Sequence, residues 1–363
     1  MKILAIDTSC DDTCLSIIKV KSRKSSPEKF EVLVNLVSSQ IKIHQKWGGV
    51  YPNLAKREHQ KNLPIVLKKG LKRIDYSVFK IPKIDLIAVT IGPGLEPCLW
   101  QGVNFAKSLS NLWKKSIIPI NHIEGHIFAN WLPLINSSSK IKKIIFPAIC
   151  LIVSGGHTQL ILMKEIGKYK LIGETRDDAG GECFDKTARI LGLPYPGGPA
   201  LAEKAAEFKK ENLKFKIRLP RPMLFQKNYD FSFSGLKTAV LYHFKEQPKK
   251  IRKSKKYIKA MAFEIQQAVI DVLIGKTLRA VKEYKTKTLI LGGGVIANKE
   301  LRKQFREKIK KEIPNLNCLI PPFKYCTDNA AMIGATAYYR SLKGRTKDTK
   351  EIKVEVNLRI EKE

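Results

Sequence analysis

His122 and His126 stand in the stretch Ile120-Asn121-His122-Ile123-Glu124-Gly125-His126-Ile127, which holds two of only six histidines in 363 residues. If the apolar residues around them (Ile123, Ile127, Phe128, Leu132) belong to a helix, side chains four apart project from one face. Two imidazoles so placed can share one metal ion, although the same spacing suits a pair of ordinary core or surface histidines. The metal reading therefore needs a third ligand and a pocket. Asp328, in the polar stretch Cys326-Thr327-Asp328-Asn329 ahead of a last helix, is a candidate ligand and equally a candidate N-cap. Asp7 and Asp11, in the turn Asp7-Thr8-Ser9-Cys10-Asp11-Asp12-Thr13, could orient a metal-bound water or a reacting group, or cap the turn. Glu124 lies two residues after His122, whereas the zincin order places Glu directly after the first His, so Glu124 projects away from the shared histidine face.

Turns, strands and short helices must deliver these groups. Residues 2–6 form a short buried strand, the acidic, hydroxyl-rich turn follows, and residues 14–20 return as a second strand. The plan recurs downstream: strand 146–153, turn Ser154-Gly155-Gly156-His157-Thr158, strand 159–163. Glycines at such a tip let backbone N–H groups approach an anion with no side chain in the way. Two copies of one unit imply a duplicated α/β fold with a cleft between two lobes. Between the copies lie an amphipathic helix over 62–74, a strand over 84–91, the link Gly92-Pro93-Gly94, a helix over 98–114 and the strand 117–120 that leads to the histidines. Ser137-Ser138-Ser139-Lys140 is a plausible lobe boundary, giving an N-terminal lobe over 1–136, joined by the returning segment 329–342, and a C-terminal lobe over 137–328. Residues 343–363 form a basic tail expected to be partly mobile.

In the second half, helices over 182–191 and 199–211 flank the turn Tyr195-Pro196-Gly197-Gly198, an irregular stretch covers 215–233, and a long helix spans 260–284. Strand 288–291 then runs into Gly292-Gly293-Gly294-Val295-Ile296-Ala297-Asn298, which opens a helix over 299–311. Strand, glycine loop and helix are a frequent nucleotide-binding arrangement, but neither the spaced dinucleotide fingerprint nor a Walker lysine is present.

The balance of 67 Lys plus Arg against 33 Asp plus Glu, a formal charge of +34, attracts polyanions, above all nucleic acid. Part of it is equally a lysine bias on solvated helix faces, such as 68–72, 249–256 and 303–311. Seven scattered cysteines without a CxxC pair argue against a disulfide framework and for reduced, mostly buried thiols. Asp7 inside the first apolar run excludes an ordinary signal peptide, and no run approaches the roughly 18 apolar residues of a membrane span. A soluble, cytoplasmic protein with no membrane partner is expected.

The stretches Asp7-Thr8-Ser9-Cys10-Asp11-Asp12-Thr13, Trp47-Gly48-Gly49-Val50-Tyr51-Pro52, Gly92-Pro93-Gly94-Leu95, His122-Ile123-Glu124-Gly125-His126 and Val153-Ser154-Gly155-Gly156-His157-Thr158-Gln159-Leu160 occur in this order. Phe184-Asp185-Lys186, Tyr195-Pro196-Gly197-Gly198-Pro199, Phe231-Ser232-Phe233-Ser234-Gly235-Leu236-Lys237-Thr238, Gly293-Gly294-Val295-Ile296-Ala297-Asn298 and Tyr325-Cys326-Thr327-Asp328-Asn329 follow. Together, over about residues 1–342, they resemble the tRNA threonylcarbamoyladenosine transferase family, the TsaD-like proteins once called O-sialoglycoprotein endopeptidases. The resemblance implies an actin-like/Hsp70-like (RNase H-like) ATPase fold with metal and nucleotide in the cleft. It implies His122, His126 and Asp328 as ligands of one divalent ion, iron or alternatively zinc. It also implies Ile152, Val153, Ser154, Gly155, Gly156, Asp185, Gly198 and Asn298 as positions binding threonylcarbamoyl-AMP or ATP. The implied reaction carries threonylcarbamoyl from its adenylate to the exocyclic amino group of the adenosine beside the anticodon, in tRNAs reading codons that begin with A. AMP leaves. Implied partners are tRNA, a paralogous TsaB-like subunit, a TsaE-like ATPase and a separate enzyme that supplies threonylcarbamoyl-AMP. Asp11, and with it Asp7, are the candidate catalytic carboxylates. The family's first turn usually begins with Glu where this chain has the shorter Asp7, and Glu96-Pro97 replaces small residues after Leu95. Two other classes compete: a metallopeptidase, which the place of Glu124 disfavours, and a kinase, ATPase or silent scaffold of the same superfold.

Overall fold

The run Ile3-Leu4-Ala5-Ile6 is apolar without alternation, as a strand covered on both faces must be, and it becomes the middle of a sheet. The computed structural model describes residues 1–23, 26–74, 82–133, 144–211, 217–344 and 346–362. The first half contains β1 (Lys2–Asp7), β2 (Asp12–Arg23), β3 (Ser26–Ser39), α1 (Ile41–His44), α2 (Pro52–Lys72), β4 (Leu86–Gly92), α3 (Glu96–Trp113), β5 (Ser116–Asn121) and α4 (His122–Phe128). Its sheet runs β3-β2-β1-β4-β5, antiparallel across β3-β2-β1 and parallel across β1-β4-β5.

The second half repeats that plan. It contains β6 (Ala148–Val153), β7 (Thr158–Glu165), β8 (Lys168–Glu174), α5 (Gly180–Ile190), α6 (Gly197–Lys210), α7 (Ser234–Glu246), α8 (Lys249–Arg252), α9 (Lys255–Glu283), β9 (Thr288–Gly292), α10 (Lys299–Glu312), β10 (Asn317–Leu319) and α11 (Ala330–Ser341). Read from the other edge, its sheet is β8-β7-β6-β9-β10, with the same antiparallel meander and the same two parallel pairs. The duplication expected from the two hairpins is present, and it extends to β3, β8 and β10, which lie beyond the expected strands.

Alternate residues of each central strand feed different cores. Ala5, Ile18, Ala88 and Ile118 of the first sheet join Cys150, Ile152, Ile161 and Ile290 of the second in a middle core that also takes the apolar faces of α4 and α11. Leu4, Ile6 and Ile87 face outward onto α2 and α3 through Leu63, Leu67, Val103 and Ala106. Leu151, Val153 and Leu160 face α5, α6, α7 and α9 through Cys183, Leu201, Leu236 and Val269. Phe128 at the end of α4 stacks on Tyr339 of α11, ring centroids 5.0 Å apart. Burying a side chain of that size is worth about 1.5–3 kcal/mol, so α4 and α11 are fixed to each other.

Several boundaries differ from the expectation. α2 starts ten residues earlier than the expected 62 because Pro52 suits a first helical turn, and Pro64 is carried inside it. The helix 234–246 stands where no element was expected, while the helix 249–252 falls within the expected lysine-rich helix face 249–256. The Ser137-Ser138-Ser139-Lys140 boundary lies outside the described residues. The segment expected as a loosely held tail packs back on the molecule. Ile352 and Leu358 join the core of the first half, Glu355 N donates to Ile91 O (2.9 Å) and Gly94 N donates to Val356 O (3.1 Å). A Cβ at Gly92 would collide with the Glu355 carbonyl, which explains the glycine there. All seven cysteines are free thiols. Among the described residues no helix is long and apolar enough to cross a membrane.

Candidate metal and nucleotide site

β5 ends at Asn121, whose Oδ1 accepts hydrogen bonds from Ile123 N (2.9 Å) and Glu124 N (3.4 Å) and so starts α4 abruptly. His122 is therefore the first helical residue and His126 sits one turn on, their rings 4.7 Å apart. Both are buried. Asp328 Oδ1 lies 3.4 Å from His122 Nε2 and 3.4 Å from His126 Nε2. One ligand atom from each of the three falls within 4.8 Å of the others. The capping alternative for Asp328 does not hold, because the neighbouring Asn329 caps α11, its Oδ1 accepting from Met332 N at 3.1 Å. Asp328 is left free to face the histidines.

Neither ring nitrogen of the fully buried His126 has a hydrogen-bond partner. An orphaned buried imidazole is costly, and beside a second imidazole and a carboxylate it fits a metal ion that would complete it. Burial, with the His122 ring adding to it, outweighs the Asp328 and Asp7 carboxylates and pushes His126 below its ordinary value, which keeps it neutral as a ligand must be. Burial also pulls His122 down, but the Asp7 and Asp328 carboxylates outweigh it and raise His122 well above its ordinary value in the metal-free pocket. Asp328 shows the reverse balance: burial raises it, and the two imidazoles hold it well below the usual carboxylate range.

Asp7 is placed behind this set. Its Oδ2 lies 3.1 Å from His122 Nδ1, and its Oδ1 accepts from Ser9 N at 2.9 Å. A carboxylate on the rear nitrogen fixes the tautomer and turns Nε2 toward the pocket. Ser9 Oγ, 3.2 Å from the same Nδ1, adds to that support, and nothing in its spacing singled it out. Asp11 is outside the ligand cluster, at the hairpin tip, and burial pushes its carboxyl up, with Asp328 adding to the rise. Next to it, burial pushes Asp12 up to about 7.

The second hairpin faces the same pocket. Ile152 and Val153 are buried strand residues that deliver the tip, where Ser154 N donates to His157 O (2.8 Å) and His157 N donates to Ser154 Oγ (3.2 Å). Gly155 and Gly156 are exposed, and a Cβ on either would meet nothing within 4 Å. The tip thus borders open space. His157, which had no expected role, is pushed down to about 4 by burial and by the His122 and His126 rings. The triple-glycine loop lies between the hairpin and α4. A Cβ at Gly292 would sit 2.7 Å from His126 O, and Gly293, at φ +93°, runs against the Val153 backbone. Asp185 Oδ1 accepts from Gly197 N (2.7 Å) and so closes the turn that presents Gly198. Asn298 has both ends of its amide engaged, Oδ1 capping α10 at Leu301 N (3.0 Å) and Nδ2 donating to Gln266 Oε1 (2.8 Å). Its side chain shapes the glycine loop through those bonds.

Glu124 turns away from the pocket, as its position implied. It accepts from Arg340 Nε (2.6 Å) and from Tyr169 OH (2.7 Å), joining α4 to α11 and to β8. A carboxylate occupied in this way is no peptidase base.

Two five-stranded sheets of identical plan, with a histidine–carboxylate pocket and an open glycine tip between them, define a cleft enzyme of the actin-like/Hsp70-like ATPase fold. The crystal structure of HypF from T. kodakarensis shares that fold, with a TM-score of 0.53 over 95% of this chain and 48% of that one at 11% identity. The family profile TsaD, tRNA N6-adenosine threonylcarbamoyltransferase, matches residues 31–335. The tRNA N6-adenosine threonylcarbamoyltransferase of Thermosipho africanus is 45% identical over 96% of this chain and 97% of its own length. That of Persephonella marina is 42% identical over 100% of this chain and 96% of its own. The chain belongs to the TsaD family and is a transferase that modifies adenosine in tRNA.

Proposed function

We propose that the chain transfers threonylcarbamoyl from threonylcarbamoyl-AMP to the 6-amino group of the adenosine beside the anticodon, in tRNAs reading codons that begin with A, and releases AMP. The observation that carries this is the His122, His126 and Asp328 donor set together with the glycine loop that joins it to the open-tipped hairpin, Gly292 lying against His126 O and Gly293 against Val153. The attacking amine is neutral and weakly nucleophilic, so the work lies in orienting the mixed anhydride and stabilising the charge that departs with the phosphate. The new bond joins N6 to the carbamoyl carbon, and the bond from that carbon to the phosphate oxygen breaks. The amine loses one proton, and Asp11 is its proposed acceptor, since burial pushes this carboxyl up and makes it a better base. Backbone amides at Gly155 and Gly156 suit the AMP phosphate, with Ile152, Val153 and Ser154, whose own N–H is held by His157 O, positioning them, and Asp185, Gly198 and Asn298 shaping the far wall. His122, His126 and Asp328 would hold one divalent ion, iron or zinc, with Asp7 orienting His122. Such an ion supplies Lewis-acid polarisation of a carbonyl or phosphoryl oxygen.

The chemistry needs tRNA, a donor-supplying enzyme, and accessory subunits of TsaB-like and TsaE-like type, all in the cytoplasm. The test supplies synthetic threonylcarbamoyl-AMP, without ATP, to the purified chain with those subunits and unmodified tRNA. Equimolar modified adenosine and AMP are expected. Modification that occurs only when free threonine, bicarbonate and ATP replace the adenylate would contradict the donor assignment.

A further inference from the structure

The stretch Trp47-Gly48-Gly49-Val50-Tyr51 takes no part in the chemistry above, yet it is tied to the cleft from both sides. Gln40 N donates to Asp11 O (3.2 Å), Gln40 Oε1 pairs with His44 Nε2 (3.0 Å), and Tyr51 N donates to His44 Nδ1 (3.3 Å). From the second half of the molecule, Arg189 of α5 donates to the Gly48 carbonyl, and Arg189 and Gly48 share a small cavity with Asp185 and Tyr195. The segment thus spans the mouth of the cleft between Asp11 and Asp185.

On its outer side two aromatic rings face solvent. Trp47 is 64% exposed, Tyr51 is 49% exposed, and their centroids are 5.5 Å apart at 30°. Scattered single aromatics need no explanation. A near-parallel exposed pair held rigidly at a cleft mouth does. Residues 41–57 also carry Lys42, Lys46, Lys56 and Arg57, all exposed, and no Asp or Glu.

We infer that Trp47 and Tyr51 form a stacking platform for the anticodon loop of the substrate tRNA, with the four surrounding cations meeting its phosphates. The inference rests on the assignment of tRNA as substrate. An adenosine cannot reach a buried site while stacked, so its loop must open, and the unstacked neighbours need a surface. Exposed aromatic rings ringed by cations recognise single-stranded RNA in this way. The charged side chains within residues 41–57 are all cationic, which favours RNA over a basic protein partner.

The test measures binding of an unmodified anticodon stem-loop RNA to the full chain, together with the affinity for AMP and the KM for tRNA in the reconstituted reaction. Trp47→Ala and Tyr51→Ala should each weaken RNA binding and raise the KM for tRNA about 5- to 100-fold, the range lost with one base–aromatic stack, while AMP affinity stays unchanged. Trp47→Phe should keep most of the binding but abolish the tryptophan quenching that RNA causes in the wild type. Wild-type chain that binds no RNA would sink the substrate assignment and the platform with it. Wild type that binds RNA, with Trp47→Ala binding it within about twofold, would overturn the platform alone. Loss of an accessory subunit with RNA affinity intact would also overturn it, marking the face as a protein seat.

Discussion

Replacing Glu124 by alanine removes the buried carboxylate that Arg340 Nε meets at 2.6 Å. Both side chains are buried, at 2% and 9% exposure, so Glu124→Ala takes a charge-assisted contact from a guanidinium held in the interior. Breaking one side of a buried pair costs about 3–5 kcal/mol, and Arg340 Nη1 keeps its bond to Pro119 O (3.1 Å), which points to the lower end. With an unfolding entropy of about 2.1 cal/mol/K per residue, a loss of ~3 kcal/mol lowers Tm by about 4 °C for a chain of this length. Tyr169 loses its acceptor as well, which removes the hydrogen bond that ties β8 to α4. Because α4 carries His122 and His126, and Asp328 lies just ahead of α11, loosening the two helices should also weaken metal binding about tenfold. Glu124→Gln, which keeps an acceptor for both partners, should show less than half of each effect. Calorimetry and a chelator-competition titration read the two quantities. A Glu124→Ala protein with Tm and metal affinity unchanged but no activity would refute the reasoning, since Glu124 would then be acting on substrate.

Three more outcomes are expected. Asp7→Asn should lower metal affinity about 10- to 100-fold by losing the carboxylate on His122 Nδ1; the same titration on Asp11→Asn should show a much smaller change, Asp11 being outside the ligand cluster. Gly155→Ala should leave Tm unchanged, because its Cβ meets nothing, yet weaken AMP binding measured by calorimetric titration; equal affinities would remove the phosphate role of the tip. For Asp12, the folded pKa of about 7 exceeds the ordinary carboxylate value, so the unfolded chain gives up its proton first and stability drains away as pH rises from the acid range to about 7. Asp12→Asn should therefore raise Tm at pH ~8 and lose that advantage toward pH ~4, and an offset independent of pH would contradict the burial argument.

Legibility of the sequence followed local chemistry. The hairpins were readable because short apolar runs bracket polar turns, and the histidine face because a helical turn fixes the geometry of residues four apart. The strands β3 and β8 carry the period-two pattern of half-buried edge strands, Lys29, Glu31, Lys168 and Lys170 alternating with apolar residues, a weaker mark than the unbroken apolar runs of the central strands. Asp7 and Ser9 sit in a motif that marks a turn, but only the tertiary fold aims them at His122, 113 residues or more away. Asp328 could not be separated from a cap by sequence because Asn329 beside it is an equally good capping residue, and the structure gives that task to Asn329. The grip of Glu124 on Arg340, 216 residues later, carries no local signal at all.

The most direct measurement pairs metal content with product formation in one preparation of the reconstituted enzyme. Wild type is expected to hold one divalent ion per chain and to form threonylcarbamoylated adenosine, whereas His126→Ala and Asp328→Ala should lose both together, with Asp11→Asn keeping the metal. Full modification by a metal-free Asp328→Ala or His126→Ala enzyme would contradict the site built here from His122, His126 and Asp328.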